Sequence, residues 1–306
     1  MKATRAVITV SALILSGGLS ACGGGNDPAD DARDTMPTVV ASTDVWGSVA
    51  RSVAGDDARV RSIITSGSAD PHSFEASPAD VATIADASLV VYNGGGYDQW
   101  VETVLGNNAD IPAVDAYSLL DAEAIGEPRP ANEHVFYDLD TAKAVADQIA
   151  EKLAAENPQK ASEYRSRAEE FSRRADTVQQ DGRSAGTDSS GAAVVATEPV
   201  AHYLLRTAGL IDKTPAGFAS AIEQDTDPAA VDVAAMLDLI ASGDIAVLVY
   251  NEQTATEATR KVRAAADDAG VPVVPITETL PAGTDYLTWQ SDTADRLAAA
   301  LRQNPQ

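Results

Sequence analysis

Four side chains that can bind a metal ion share one feature, which is that each lies beyond the end of an apolar run that predicts a β-strand. They are His72, His134, Glu198 and Glu278. Parallel strands of an open α/β sheet end at one edge, where ligands bind, so we expect the four side chains to converge. Two imidazoles and two carboxylates form a nitrogen and oxygen site suited to a divalent first-row metal ion. The site would carry two negative charges and no thiolate, which disfavours copper(I).

Predicted strands and helices, which would position these residues, alternate along the chain. Seven β-rich apolar runs predict strands at 38–42, 59–65, 88–93, 111–115, 192–197, 245–250 and 271–277. Helical patterns lie between most of them, which favours α/β layers with parallel sheets. The runs 88–92 and 246–250 are almost wholly apolar, as is typical of strands covered by helices on both faces.

One long helical pattern interrupts this alternation. Asn157 is predicted as an N-cap and Pro158 as the first helical residue. Apolar residues then recur every three or four positions to about residue 180. Four predicted strands precede this helix and three follow it. We therefore predict two α/β lobes of parallel sheet flanked by helices, at 38–157 and 184–306, joined by one linking helix at 158–183.

The composition excludes several functional classes. The 306 residues contain 46 acidic and 22 basic side chains, a net charge of −24. Such an acidic chain is a poor candidate for binding nucleic acid or docking on anionic lipid, which both need Lys and Arg. One cysteine excludes a disulfide framework and a cysteine-based zinc cluster. With three histidines in all, a metal site also needs carboxylates.

The N-terminus has the pattern of a signal peptide. Lys2 and Arg5 precede the apolar stretch 7–15, and small residues follow it. The end of the segment, Leu-Ser-Ala-Cys at 19–22, resembles the bacterial lipoprotein signal box, which implies lipidation at Cys22; an ordinary cleavage site is the alternative. We predict a signal peptide at 1–21, a flexible tether at 22–37, and an extracytoplasmic protein anchored in the bacterial cell membrane by lipid.

Two longer segments carry a family resemblance over about residues 38–306. The segment at 70–78 reads DPHSFEASP and that at 132–138 reads NEHVFYD. Both resemble the metal-specific solute-binding proteins of ABC importers, the zinc/manganese receptor family whose members include proteins called adhesion lipoproteins. The resemblance implies that His72 is the first metal ligand and His134 the second.

The C-terminal half extends the resemblance. Glu198 lies at the family's third ligand position, which holds either His or Glu. Glu278 matches the fourth position, where many members have the shorter Asp. The segment NGGGYDQW at 93–100 also resembles a family segment near the cleft. The stretch 121–133 has no histidine, unlike the His-rich loop of some zinc-specific members.

The resemblance implies a receptor and not an enzyme. A divalent metal ion, zinc or manganese, would bind as the transported ligand between the lobes, and a monomer would deliver it to an ABC permease and its ATPase. Monodentate carboxylates would give the four-coordination that suits zinc, and bidentate ones would suit manganese better. The long helix should keep the movement of the lobes small.

Other functions stay open at this point. A secreted metallohydrolase could use His72 and His134, but it needs an open metal position, and the sequence has no His-Glu-x-x-His element. A surface adhesin would need an exposed apolar patch. A receptor for an organic solute would need an aromatic-lined pocket, which 5% aromatic residues make less attractive. The third histidine, His202, is expected at the surface or the cleft rim, with a role as a metal ligand as the alternative.

Overall fold

A computed structural model describes residues 36–65, 71–128 and 130–304 of the chain. The predicted signal peptide at 1–21, Cys22 and nearly all of the tether lie outside the described residues. Within them, no helix is both apolar enough and long enough to cross a bilayer.

The N-terminal half is built on a four-stranded parallel sheet. Its strands are β1 (Thr38–Thr43), β2 (Arg59–Ile64), β3 (Leu89–Tyr92) and β4 (Ala113–Asp115). Their order across the sheet is β2-β1-β3-β4. The connecting helices are α1 (Asp44–Ala54), α2 (Pro78–Ala85) and α3 (Gln99–Gly106). Because β1 pairs with β2 on one side and β3 on the other, the chain changes direction there, and a crevice opens at the carboxyl ends of such strands.

The C-terminal half repeats this strand order. Its strands are β5 (Ala193–Ala196), β6 (Ile211–Asp212), β7 (Ile245–Asn251) and β8 (Val273–Ile276), in the order β6-β5-β7-β8, all parallel. Its helices are α6 (His202–Thr207), α7 (Ala216–Glu223), α8 (Ala230–Ala241) and α9 (Glu257–Ala269). The prediction of three strands after the long helix was wrong, because β6 has two residues, both exposed, and leaves no apolar run.

Two long helices, α4 (Leu139–Glu156) and α5 (Ala161–Ala185), lie between the sheets in sequence. The C-terminal helix α10 (Tyr286–Gln303) follows the second sheet, and both α4 and α10 pack on α5. A 3-10 turn, Pro158–Lys160, precedes α5 after Asn157. At about 1.5 Å per residue, the 25 residues of α5 span about 37 Å. The helix continues to Ala185, two residues beyond the end predicted at 183.

One hydrophobic core runs through both halves. It contains Val39 and Val91 of the first sheet together with Val194 and Val249 of the second. Phe171 of α5 lies in the same core and stacks on Tyr286, with ring centroids 6.0 Å apart. Since a close-packed interior resists small deformations, this core should limit the relative movement of the sheets. The fold class predicted from the sequence is confirmed.

Candidate metal-binding site

The four predicted residues line one small cavity. His72 follows β2, His134 directly precedes a 3-10 turn, and the two glutamates follow β5 and β8. The cavity has a volume of about 10 Å³, which admits one water-sized sphere. Ligand atoms of His72, His134 and Glu278 lie within 4.8 Å of one another. The two halves of the protein therefore contribute to one cavity, as the strand ends led us to expect.

The spacing of these atoms fits a metal ion. The Nε2 atoms of His72 and His134 each lie 3.7 Å from Oε2 of Glu278. Bonds of about 2.1 Å at tetrahedral angles would place donor atoms roughly 3.4 Å apart. A small inward shift of these side chains would thus bring all three donors onto one ion.

The imidazole of His134 is oriented for metal binding by its neighbours. Its side chain is fully buried, and its Nδ1 lies 3.2 Å from Oδ1 of Asn132. An amide oxygen can only accept, so Nδ1 carries the hydrogen and Nε2 keeps its lone pair. Within the described part of the chain, Nε2 has no hydrogen-bond partner. Burial and the nearby His72 lower the pKa of His134 well below its ordinary 6.5, which favours the neutral, ligating form.

Residues of the segment at 93–100 help to position both histidines. The amide of Asn93 donates to the backbone oxygen of Glu133, 2.8 Å away, and so fixes the residue next to His134. The ring of Tyr97 meets the ring of His72 edge-on at 4.6 Å between centroids, and that of His134 at 5.7 Å. This segment therefore positions ligands, which the sequence left open.

Glycine is required at position 94, the first of the three consecutive glycines in this segment. Gly94 has φ +75°, a left-handed conformation that side chains rarely adopt. A Cβ there would lie 2.2 Å from Oδ1 of Asp115, closer than any packing allows.

One asparagine holds the two predicted carboxylates. Nδ2 of Asn251, at the end of β7, donates to Oε2 of Glu198 at 2.7 Å and to Oε1 of Glu278 at 2.8 Å. Thr254 donates to the other oxygen of Glu198. The backbone N–H of Glu278 donates to Gln253. These contacts leave Oε2 of Glu278 directed at the histidines, in the way that outer residues orient metal ligands.

The structure adds a fifth residue to the site, Glu223. Its Oε1 lies 3.5 Å from Nε2 of His134 and 3.8 Å from Nε2 of His72. Burial and the charges of Glu133, Glu198 and Glu278 raise the pKa of Glu223 to about 9. No sequence pattern pointed to this residue, because it ends a helix and follows no strand.

His202 is not part of the cavity. Its Nε2 lies 3.0 Å from the carboxylate of Glu127, which also accepts from Arg206 at 2.8 Å. The side chain is 30% exposed. The expectation of a histidine at the surface or the cleft rim agrees with this position.

A buried aspartate next to the site makes the stability of the protein pH-dependent. Asp98 accepts from the backbone N–H groups of Asn93 and Gly94 at 2.7 and 2.8 Å. Its burial still dominates and raises the pKa to about 6, from an ordinary 3.8. The folded state therefore holds a proton that the unfolded state releases between about pH 4 and 6. Stability from this group is largest below pH 4 and falls as the pH rises to 6.

We expect Asp98→Asn to remove this dependence. The free energy of unfolding of the wild type, relative to the variant, should fall by about 3 kcal/mol between pH 4 and pH 7, since each pKa unit corresponds to about 1.4 kcal/mol. Urea unfolding of the metal-free proteins at four pH values, followed by tryptophan fluorescence, measures the difference. Parallel curves for the two proteins would contradict the assignment.

Sequence comparisons match the chain to a protein family and to curated relatives. The family description "Zinc-uptake complex component A periplasmic", ZnuA, matches residues 39–300. The manganese-binding lipoprotein MntA of Halalkalibacterium halodurans is 27% identical over 165 residues, which cover 54% of this chain and 53% of the relative. The manganese ABC transporter substrate-binding lipoprotein PsaA of Streptococcus pneumoniae is 28% identical over 185 residues, 57% and 58% of the two chains. These alignments thus span little more than half of each relative.

Solved structures share the fold over a greater length. The periplasmic zinc-binding protein TroA of Treponema pallidum superposes with a TM-score of 0.73 at 20% identity, covering 87% of this chain and 99% of that one. The laminin-binding protein Lmb of Streptococcus agalactiae, described as an adhesin with metal-transporting activity, gives 0.72 at 22% identity with the same coverages. At these identities the likeness establishes the fold.

Proposed function

Because the chain belongs to the family of periplasmic zinc-uptake component A proteins, we propose that it is an extracytoplasmic receptor of an ABC importer. It binds a divalent transition metal ion, zinc or manganese, between its two halves and delivers the ion to a membrane permease and its ATPase. The observation that carries the proposal is the cavity in which His72, His134 and Glu278 place ligand atoms within 4.8 Å of one another. We propose these three and Glu198 as the protein ligands.

The size and polarity of the cavity support an ion as the cargo. A volume of about 10 Å³ leaves no room for an organic solute, since drug-sized ligands need roughly 300 Å³ or more. Four protein ligands would also leave no open position for a water to be activated, which describes a carrier better than a hydrolytic enzyme.

The proposal includes a lipid anchor and an oligomeric state. We propose that Cys22 carries the lipid anchor and that the receptor meets its permease as a monomer. The shared core and the long α5 restrict the opening of the site to a modest movement. Adhesion is not proposed, because the large hydrophobic side chains exposed within the described residues, Val81, Ile211 and Val231, lie on three different elements.

Titration calorimetry on the mature chain, stripped of metal and with Cys22→Ser to avoid lipidation, tests the receptor function. We expect one ion of Zn²⁺ or Mn²⁺ to bind per chain, with elemental analysis confirming the stoichiometry. The preferred ion identifies the cargo. Absence of tight binding of either ion would refute the receptor and reopen the organic-solute alternative.

A further inference from the structure

Glu223 is held rigidly at the edge of the cavity. It is the last residue of α7, and the preceding Ile222 and Phe218 are buried in the core of the C-terminal sheet. Asp225, two residues later, has φ +53° and turns the chain away from the helix axis. The backbone N–H of Thr226 then bonds back to the oxygen of Ala221 at 2.8 Å. The position of Glu223 is therefore set by packing and not by a loose loop.

Glu223 faces the histidines as closely as Glu278 does. Its Oε1 lies 3.5 and 3.8 Å from the two imidazole Nε2 atoms, and Oε2 of Glu278 lies 3.7 Å from both. Both oxygens of Glu223 are buried, and the carboxyl of Glu133 lies close to them. The fully buried Nε2 of His134, without a hydrogen-bond partner among the described residues, points at the same space. Two carboxylates thus oppose two imidazoles around one cavity.

Building on the proposed function, we propose that Glu223 is an additional ligand of the transported ion and that it favours manganese over zinc. Three carboxylates and two imidazoles would give at least five protein donors and a charge of −3. Zinc sites in proteins are mostly four-coordinate, and a further oxygen ligand adds little to them. Manganese accepts more oxygen ligands, so the same carboxylate strengthens its binding.

A preference for manganese over zinc requires a structural feature such as an additional carboxylate ligand. At most nitrogen and oxygen sites zinc binds more tightly than manganese, and geometry must offset that order. The cavity achieves this by adding Glu223 from the end of α7, a different element from β5 and β8, which precede Glu198 and Glu278.

The test compares Mn²⁺ and Zn²⁺ affinities of the mature wild type, Glu223→Gln and Glu257→Gln by competition titration. Glu257 is an exposed carboxylate at the start of α9, so its variant makes the same charge change outside the cavity. We expect Glu223→Gln to weaken Mn²⁺ binding by about tenfold or more while Zn²⁺ binding changes less than about threefold. X-ray absorption of the manganese-loaded proteins should show that one manganese–oxygen bond is lost or lengthened in Glu223→Gln, because a neutral amide oxygen binds a cation less strongly than a carboxylate.

The other outcomes separate this inference from the receptor function. Tight binding by the wild type with unchanged Mn²⁺ affinity in Glu223→Gln would overturn the role of Glu223 and leave the receptor intact. An equal loss for both ions would keep Glu223 as a ligand and overturn its role in selectivity. Tighter binding of both ions would make Glu223 a competitor for the place of the ion and overturn the inference. A wild type that binds neither ion would refute the receptor itself.

Discussion

Replacement of His134 by Ala should lower the affinity for the transported ion by more than about 100-fold. This loss exceeds the one expected when a residue that only hydrogen-bonds to a metal ligand is replaced. The reason is the burial of this imidazole. No water reaches its Nε2 easily, and its Nδ1 is already engaged with Asn132. The variant therefore loses a ligand that solvent cannot replace in the same geometry. Titration with Mn²⁺ and Zn²⁺ on metal-stripped protein measures the effect.

His202→Ala is the matched control for His134→Ala. It removes an imidazole that contacts Glu127 at the surface of α6 and lies outside the cavity. Its affinity for both ions should stay within about threefold of the wild type. Urea unfolding of the metal-free proteins checks that both variants fold, and His134→Gln preserves more of the ring's volume if the alanine variant does not. Wild-type affinity in His134→Ala would remove this residue from the proposed ligand set.

The four proposed ligands line one cavity, and the sequence could predict their convergence because each lies in a local pattern. His72 and His134 lie in motif segments, and the two glutamates directly follow apolar strands. The carboxyl ends of parallel strands meet at one edge, so the strand pattern alone places such residues near each other. The two apolar runs around β3 and β7 likewise predicted buried strands, and both are buried.

Features without a local pattern could not be predicted. Glu223 ends an amphipathic helix in a polar stretch, and only the packing of Ile222 and Phe218 turns it toward the cavity. Asn251 is the last residue of a strand, with nothing in its neighbours to reveal that it bridges two carboxylates. Strand β6 is exposed and two residues long. In each case the deciding contact joins segments that are distant in sequence.

Glu278→Ala is expected to weaken binding of the transported ion by about 100-fold, and its result distinguishes a carrier from an enzyme. Glu278 is 1% exposed, and Asn251 holds one of its oxygens so that the other faces both histidines. Removal of this carboxylate takes one negative charge and one oriented donor from a nearly closed cavity. Calorimetry on the metal-stripped variant, with elemental analysis of the loaded protein, gives affinity and stoichiometry.

The isosteric Glu278→Gln is the control that separates charge from shape. The amide keeps the side-chain volume but binds a cation less strongly, so its affinity should fall between those of the wild type and Glu278→Ala. Survival of tight one-to-one binding in both variants would indicate three protein ligands and an open position on the ion. That arrangement is the one a metallohydrolase needs, and the protein would then have to be assayed for hydrolysis. Loss of binding in Glu278→Ala favours a site that holds its ion with protein ligands alone.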